Sequence, residues 1–215
     1  ESWVHEIKAP ITAIALNCEN NRDERSRYLL VENRKVENYV DMALYYARMD
    51  AVYKDYMIAE TNLQEVAQQV LLQNKYYLIQ SHVKAEVACP DTVYSDKKWI
   101  AFILNQLIQN SVKYGRSEGT HIQIVTKKTK SGVLLRVKDD GIGIPKEELP
   151  RIFEKGFTGT NGRNRERSTG MGLYLCRKLC DKLNIEIRAE SAEGKGTEII
   201  LMFPVSDYLT GYRET

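Results

Sequence analysis

The sequence predicts two parts of different fold class. Residues 1–53 form a helical hairpin that pairs with a second copy into a dimeric four-helix bundle, and residues 54–206 form an α+β sandwich, with 207–215 as a tail. Three observations carry this reading. Apolar side chains recur at helical spacing from Val4 to Ala47 with one polar break, Asn20 to Asp23. Beyond Thr61, helical and alternating stretches mix without strict β-α alternation. Glycine clusters at Gly141/Gly143, Gly170/Gly172 and Gly194/Gly196 punctuate that second part.

The first seam runs Val4, Ile7, Ile11, Ile14 and Cys18, the pattern of an amphipathic, coiled-coil-like helix. A second runs Leu29, Val36, Val40, Ala43 and Ala47, with Asn33 as its polar member. A short polar turn between them makes an antiparallel hairpin, and one hairpin buries two such seams poorly, so a dimer is the expected solution. Pro10 falls inside the first helix. It removes the hydrogen bond to the Glu6 carbonyl, at a cost of ~3 kcal/mol or more, and predicts a kink there. After the hairpin the pattern predicts a strand near Tyr56–Ala59, a helix over Leu63–Gln80 and a strand at Val83–Val87. A strong helix follows at Lys97–Tyr114, then strands at Ile122–Lys128 and Val133–Asp139 and a short helix after Pro145. Phe157–Thr169 reads as a loop, Gly170–Lys182 as a helix, and Ile185–Glu190 and Gly196–Phe203 as closing strands.

Charge is nearly balanced, 31 basic against 29 acidic residues for a net +2, so nothing demands nucleic acid or an anionic membrane as partner. No apolar run approaches the ~20 residues of a membrane span, and no signal peptide is visible. Four scattered cysteines fit a reduced, intracellular setting. Cys176 and Cys180 share a helical face with Leu175 and Leu179, which points to core packing and not to a metal. A start inside a helical pattern suggests a cytoplasmic fragment of a longer protein.

Chemistry concentrates in a few segments. His5 and Glu6 place an imidazole beside a carboxylate that can take its proton, an arrangement suited to a nucleophile. In Asn105–Tyr114, Gln106 and Asn110 share a helix face, as do Asn110 and Lys113. Amide oxygens suit Mg²⁺, whose other ligands are waters and phosphate oxygens. Lys113 can reach a phosphate, and Tyr114 offers a flat face to a base. An amphipathic helix with a merely solvated polar face explains the same segment equally well. Asp139 ends a strand before Gly141 and Gly143, where a carboxylate can accept from an exocyclic amine and glycine lets backbone approach a ligand. Gly170-Met171-Gly172-Leu173 opens a helix whose free N–H groups suit phosphate, although Ser168 or Thr169 can also be an ordinary N-cap. Lys155 to Arg167 is a basic, glycine-rich loop of the kind that forms a nucleotide lid.

Taken together these segments resemble the cytoplasmic core of bacterial sensor histidine kinases. His5–Pro10 resembles the H box, Gln106–Tyr114 the N box, Asp139–Ile144 the G1 box, Ile152–Phe157 the F box, Gly170–Leu173 the G2 box and Gly194–Thr197 the last glycine box. Trp3–Lys8 and Lys155–Gly159 are most similar to the intramembrane-sensing kinases that work beside antimicrobial-peptide ABC transporters. The resemblance implies a Bergerat-type ATP-binding domain, ATP and Mg²⁺ as cofactors, a homodimer, a response-regulator receiver domain as partner, and an ABC transporter reached through a membrane part upstream. It implies that His5 is the phosphoacceptor and Glu6 its acid/base, and that Asn110, with Gln106, holds Mg²⁺. Lys113 and Lys155 would meet phosphates, Tyr114 would stack near adenine, and Asp139 would read its amino group. Gly141 and Gly143 would shape the pocket, Gly170, Met171, Gly172 and Leu173 would cradle phosphates, and Thr197 would lie near the base.

Three positions depart from the family pattern. Gln106 stands where Asn is usual, Ser168 replaces the first glycine of the G2 box, and Ala9 stands four residues after His5, where the family places Thr or Asn. That last side chain is thought to orient the water that dephosphorylates the regulator, and alanine cannot hydrogen-bond it. Weak phosphatase activity is therefore expected. A degenerate dimeric ATP-binding scaffold and another GHKL-type ATPase are the alternatives.

Overall fold

The structure, a computed structural model, describes residues 2–21, 23–48, 57–160 and 169–205, without the side chains of residues 2–5 and 48. The chain divides into two compact units, Glu1–Asp55 and Tyr56–Thr215. The expected boundary at 53/54, the centre of the lid at 161–168, and the tail all fall outside the described residues.

The first unit is a hairpin of α1 (Ser2–Asn21) and α2 (Glu24–Arg48). Pro10 lies inside α1, which is continuous across it. Two contacts set the pairing and a third caps the second helix. The Asn33 side chain donates to the Ile11 carbonyl at 2.8 Å, Lys8 meets Asp41 at 2.5 Å, and Asp23 accepts from the Ser26 N–H at the start of α2. Asn33 is thus the polar group that pins one helix against the other. The seams are only partly buried within the single hairpin. Ile11 and Cys18 are buried, but Ile7 and Ile14 stay 38% and 49% exposed, and Leu29 and Val36 stay 43% and 50% exposed. In α2 the buried positions are instead Ser26, Val31, Met42 and Leu44. Apolar periodicity locates a helix's apolar stripe, and a wide stripe offers more surface than one neighbour covers.

In the second unit a five-stranded sheet runs in the order β2-β4-β5-β7-β6, with β1 and β3 forming a separate antiparallel pair. Its strands are β1 (Ala59–Asn62), β2 (Val83–Ala88), β3 (Thr92–Ser95), β4 (Thr120–Thr129), β5 (Gly132–Asp139), β6 (Glu186–Ala192) and β7 (Gly196–Pro204). Its helices include α3 (Leu63–Gln73), α4 (Lys75–Gln80), α5 (Lys97–Lys113) and α6 (Gly172–Lys182). β2 and β4 pair in parallel, and the remaining pairs are antiparallel.

Three local expectations are revised and one strand, β3, was not expected. The helix expected over Leu63–Gln80 breaks at Asn74, whose buried side chain donates to the Val70 carbonyl and to Asn105, each at 2.8 Å, in competition with the backbone ladder. Among the described residues the first strand is Ala59–Asn62, held by the buried Thr61 hydroxyl donating to the Ser95 carbonyl at 3.0 Å, and Tyr56 of the expected strand lies outside them. Its partner β3 is too short to show an alternating pattern. The segment after Pro145 forms a single 3-10 turn, Leu149–Arg151, since Pro150 has no N–H to give an α-helical ladder.

Strand register places the core. Rows of side chains cross the sheet through Ile124, Val137 and Ile199, and through Leu135, Leu201 and Ile187. All of these are buried, as are Ile103, Leu104, Leu107 and Ile108 of α5 and Leu175, Cys176, Leu179 and Cys180 of α6. The helices contribute the apolar stripes their 3.6-residue period requires, and the strands contribute every second residue. α5 starts cleanly because Asp96 caps it, accepting from the N–H groups of Lys98 and Trp99 at 2.9 and 3.3 Å.

Candidate functional site

One further row continues the same face of the sheet beyond the apolar ones, and it is polar. Ile122 of β4 stands beside Asp139 of β5, then Thr197 of β7, then Ser191 of β6. The alternation Leu135, Val137, Asp139 therefore carries a carboxylate to the position where the next apolar core residue would sit. Above it opens a cavity lined mostly by apolar side chains, with Asp139 on its floor. α5 supplies Leu107, Asn110 and Ser111 to its wall, with Tyr114 at its C-cap, the loop after β5 supplies Gly143, Ile144 and Glu148, and α6 supplies Leu173. Phe157 closes one side, with the Arg151 guanidinium 4.6 Å from its ring centroid.

Asp139 is tightly held. Its Oδ1 accepts from the Gly141 N–H at 3.0 Å and the Thr197 N–H at 3.1 Å, and its Oδ2 accepts from the Ser111 hydroxyl at 2.8 Å. Burial nevertheless raises its pKa above the ordinary 3.8, outweighing those three donors, and neighbouring Asp140 adds like charge. A buried, incompletely compensated carboxylate in an apolar cavity is a mark of a ligand site.

The glycines are required by close approach. Gly143 has φ +69°, and a Cβ there would stand 2.0 Å from the Ala192 carbonyl oxygen. Gly143→Ala is therefore expected to destabilise the second unit by about 2 kcal/mol or more and to weaken nucleotide binding, read as a lower melting temperature and a right-shifted titration. Gly170 has φ +64°, which is why α6 begins only at Gly172, and its carbonyl accepts from the Gly156 N–H at 3.0 Å. Among the described residues no side chain caps the α6 N-terminus at Met171. Gly194 donates to the Ile142 carbonyl at 2.7 Å, tying the two glycine turns together.

Of the residues expected from sequence, the cavity wall brings together Asn110, Tyr114, Asp139, Gly143, Leu173 and Thr197. Gly141 reaches it through the Asp139 carboxylate, and Gly170, Met171 and Gly172 stand at the start of α6. Gln106 does not line it. Gln106 is buried, and its carboxamide oxygen lies so close to Gly172 that a Cβ there would be 2.7 Å away. Lys113 is half-buried with its ammonium 6.0 Å from the Tyr114 ring, and Lys155 is exposed; neither is in the wall. Glu6 and Ala9 are exposed on α1, and the His5 side chain is outside the described residues.

Sequence reading missed three residues. Ser111 follows Asn110 directly and lies i+4 from Leu107, a signal that could have placed it on the cavity face. Glu148 accepts from the N–H and hydroxyl of Thr160 at 2.8 and 2.6 Å, holding the cavity rim. Ser191 is visible only through strand register. Among the described residues no cluster of His, Cys, Asp and Glu could hold a metal, and burial pushes the Cys180 thiol up to about 12, leaving it inert.

Similarity to known proteins follows the same outline. The sensor histidine kinase YxdK of Bacillus subtilis strain 168 is 32% identical over 203 residues, covering 94% of this chain and 62% of that protein. The sensor protein kinase GraS of Staphylococcus aureus strain JH1 is 36% identical over 211 residues, covering 95% and 60%. This chain thus spans less than two thirds of the length of either relative. Among solved structures, the catalytic domain of histidine kinase ThkA superposes with a TM-score of 0.59 at 26% identity, covering 69% of this chain and 97% of that one. The Acinetobacter baumannii histidine kinase AdeS, at 20% identity, shares the fold with a TM-score of 0.64 over 94% of this chain and 98% of its own. Residues 95–207, which span the polar row, the cavity and the uncapped helix, match the profile of one family. The chain belongs to the histidine kinase-, DNA gyrase B- and HSP90-like ATPases.

Proposed function

We propose that this chain is the kinase core of a two-component sensor, which transfers the γ-phosphoryl group of ATP to His5 and from there to an aspartate of a response-regulator receiver domain. The observation that carries the reading is the cavity, with a buried carboxylate on its floor and an uncapped helix N-terminus at its rim. Asp139 would accept from the adenine amine, Tyr114 would lie along the base, and the start of α6 at Gly172 and Leu173 would take phosphate oxygens. Lys113 and Lys155 would add charge. The naming of both curated relatives as sensor kinases supports the assignment.

Asn110 fits a Mg²⁺ ion as a half-buried amide oxygen on the cavity wall, and a single protein ligand suffices for an ion that takes the rest from phosphate and water. When bound, the ion neutralises charge developing on the transferred phosphoryl group. Gln106, turned toward Gly172, has no such part in this reading. Glu6 would accept the His5 ring proton as the imidazole attacks phosphorus. The exposed heptad stripes Ile7/Ile14 and Leu29/Val36 would be covered in a homodimer.

Among the described residues no helix is long and apolar enough to cross a membrane. Attachment to a membrane segment, and an ABC transporter beside it, extend the reading by similarity to the sensor kinases. The test is incubation with labelled Mg-ATP and a candidate receiver domain: label should appear on this chain first and then move to the receiver. Binding without labelling would favour the degenerate scaffold.

Ala9 is exposed on α1, one helical turn from His5, so a larger side chain is accommodated there. Ala9→Thr is expected to speed dephosphorylation of the labelled receiver several-fold while leaving labelling of His5 intact. Decay of receiver phosphate at equal rates with the two proteins would remove Ala9 from the account.

A further inference from the structure

The polar row ends in a serine that lies outside the cavity lining and hydrogen-bonds to Thr197, which is part of it. Ser191 Oγ lies 2.7 Å from the Gly196 carbonyl oxygen, 2.9 Å from the Ile144 N–H nitrogen and 3.0 Å from Thr197 Oγ1. A hydroxyl has one proton and two lone pairs. The carbonyl can only accept, so the Ser191 proton goes there. The Ile144 N–H fills one lone pair, and the other takes the Thr197 proton. Thr197, which lines the cavity, is left facing it with lone pairs only.

Asp139 follows the same arithmetic. Of its roughly four acceptor positions, Oδ1 uses two on Gly141 and Thr197, and Oδ2 uses one on Ser111, leaving one on Oδ2. The cavity floor is therefore built of acceptors. An exocyclic amine, with two N–H bonds, fits it; a ring carbonyl would face lone pairs.

We propose that Ser191 is a specificity-determining positioning residue, which fixes the Thr197 hydroxyl as an acceptor and so makes this floor select a 6-amino purine over a 6-oxo purine. The inference rests on the nucleotide reading above and adds to it the residue that sets the polarity of the pocket. In Ser191→Ala the Thr197 proton is free to rotate toward the cavity and the Ile144 N–H loses its acceptor, so the floor gains donors that welcome a carbonyl.

The experiment is calorimetric titration of the chain with Mg-ATP and Mg-ITP, the inosine nucleotide carrying a carbonyl in place of the amine. The wild-type protein should prefer ATP, and in Ser191→Ala the ATP/ITP ratio should fall about 10-fold, by tighter ITP as well as weaker ATP binding. Ser191→Thr keeps the hydroxyl and should keep the wild-type ratio. Adding Thr197→Val to Ser191→Ala removes the liberated proton and should return the ratio toward wild type, an outcome that simple loosening of the strand would not give. If Ser191→Ala does not fold, Ser191→Cys carries the same expectation, because a thiol accepts weakly. An unchanged ratio in the folded Ser191 variant, or no recovery in the double variant, overturns the inference while leaving ATP binding in place. Failure of the wild-type chain to bind either nucleotide would overturn the underlying site reading instead.

Discussion

Asp139→Asn is expected to weaken ATP binding about 100-fold or more while making the ligand-free catalytic unit more stable. Both effects have one cause. The carboxylate is desolvated at the cavity floor, and burial raises its pKa above 3.8 despite donation from Ser111, Gly141 and Thr197. A folded-state pKa raised above the unfolded value means the folded protein binds the proton more tightly. Ligand-free stability therefore falls as pH rises from 3.8 through the raised folded value, and beyond it the cost of the buried charge is fully present. Asparagine removes that cost. Its carbonyl oxygen can still accept from Gly141 and Thr197, but its amide would point N–H bonds toward Ser111 and the cavity, where the adenine amine also offers only donors. Thermal melting with and without ATP across this range checks the prediction. Asp139→Asn should melt higher than wild type without nucleotide, lose the pH slope, and lose the ATP-dependent rise. A variant that melts lower at every pH and still gains stability from ATP would contradict the role assigned to this carboxylate.

His5→Gln is expected to abolish incorporation of acid-labile phosphate and to leave ATP affinity unchanged within error. Glutamine keeps the helix, since its propensity is no worse than that of histidine, but has no ring nitrogen to attack phosphorus. The two other histidines of the chain lie in the second unit, where His121 pairs with Glu86 at 3.2 Å and His82 occupies a left-handed turn at φ 54°. Filter-binding of labelled ATP, set against base-stable label retained on the protein, separates loss of transfer from loss of binding.

How far the sequence reveals these features depends on the range of the interactions involved. Asp139 was legible because it ends a period-2 run, Leu135-Val137-Asp139, immediately before two glycines. A helix near Gly170 and Gly172 was legible for a similar local reason, the glycines standing directly before an amphipathic run, although its start at Gly172 and the lack of a side-chain cap were not. Ser111 and Ser191 were not, since their parts are set by a carboxylate on β5 and a threonine on β7, which only strand register brings beside them. Gln106 shows the limit of spacing arguments. Residues at i and i+4 on a helix share a face, but the 3.6-residue turn offsets them, and here the wall of the cavity begins at Leu107. In the hairpin, heptad spacing predicted two helices but could not say which apolar residues face each other. Ile7, Ile14, Leu29 and Val36 fit a seam and remain exposed in the single chain.

The most direct test of the central claim is to locate the phosphate. After incubation with Mg-ATP and digestion under neutral conditions, fragmentation mass spectrometry should place a single phosphoryl group on His5 of the peptide containing Glu6 and Pro10. Phosphate on His82, His121 or a hydroxyl residue, or ATP bound in the cavity with no phosphorylation of the chain, would contradict it.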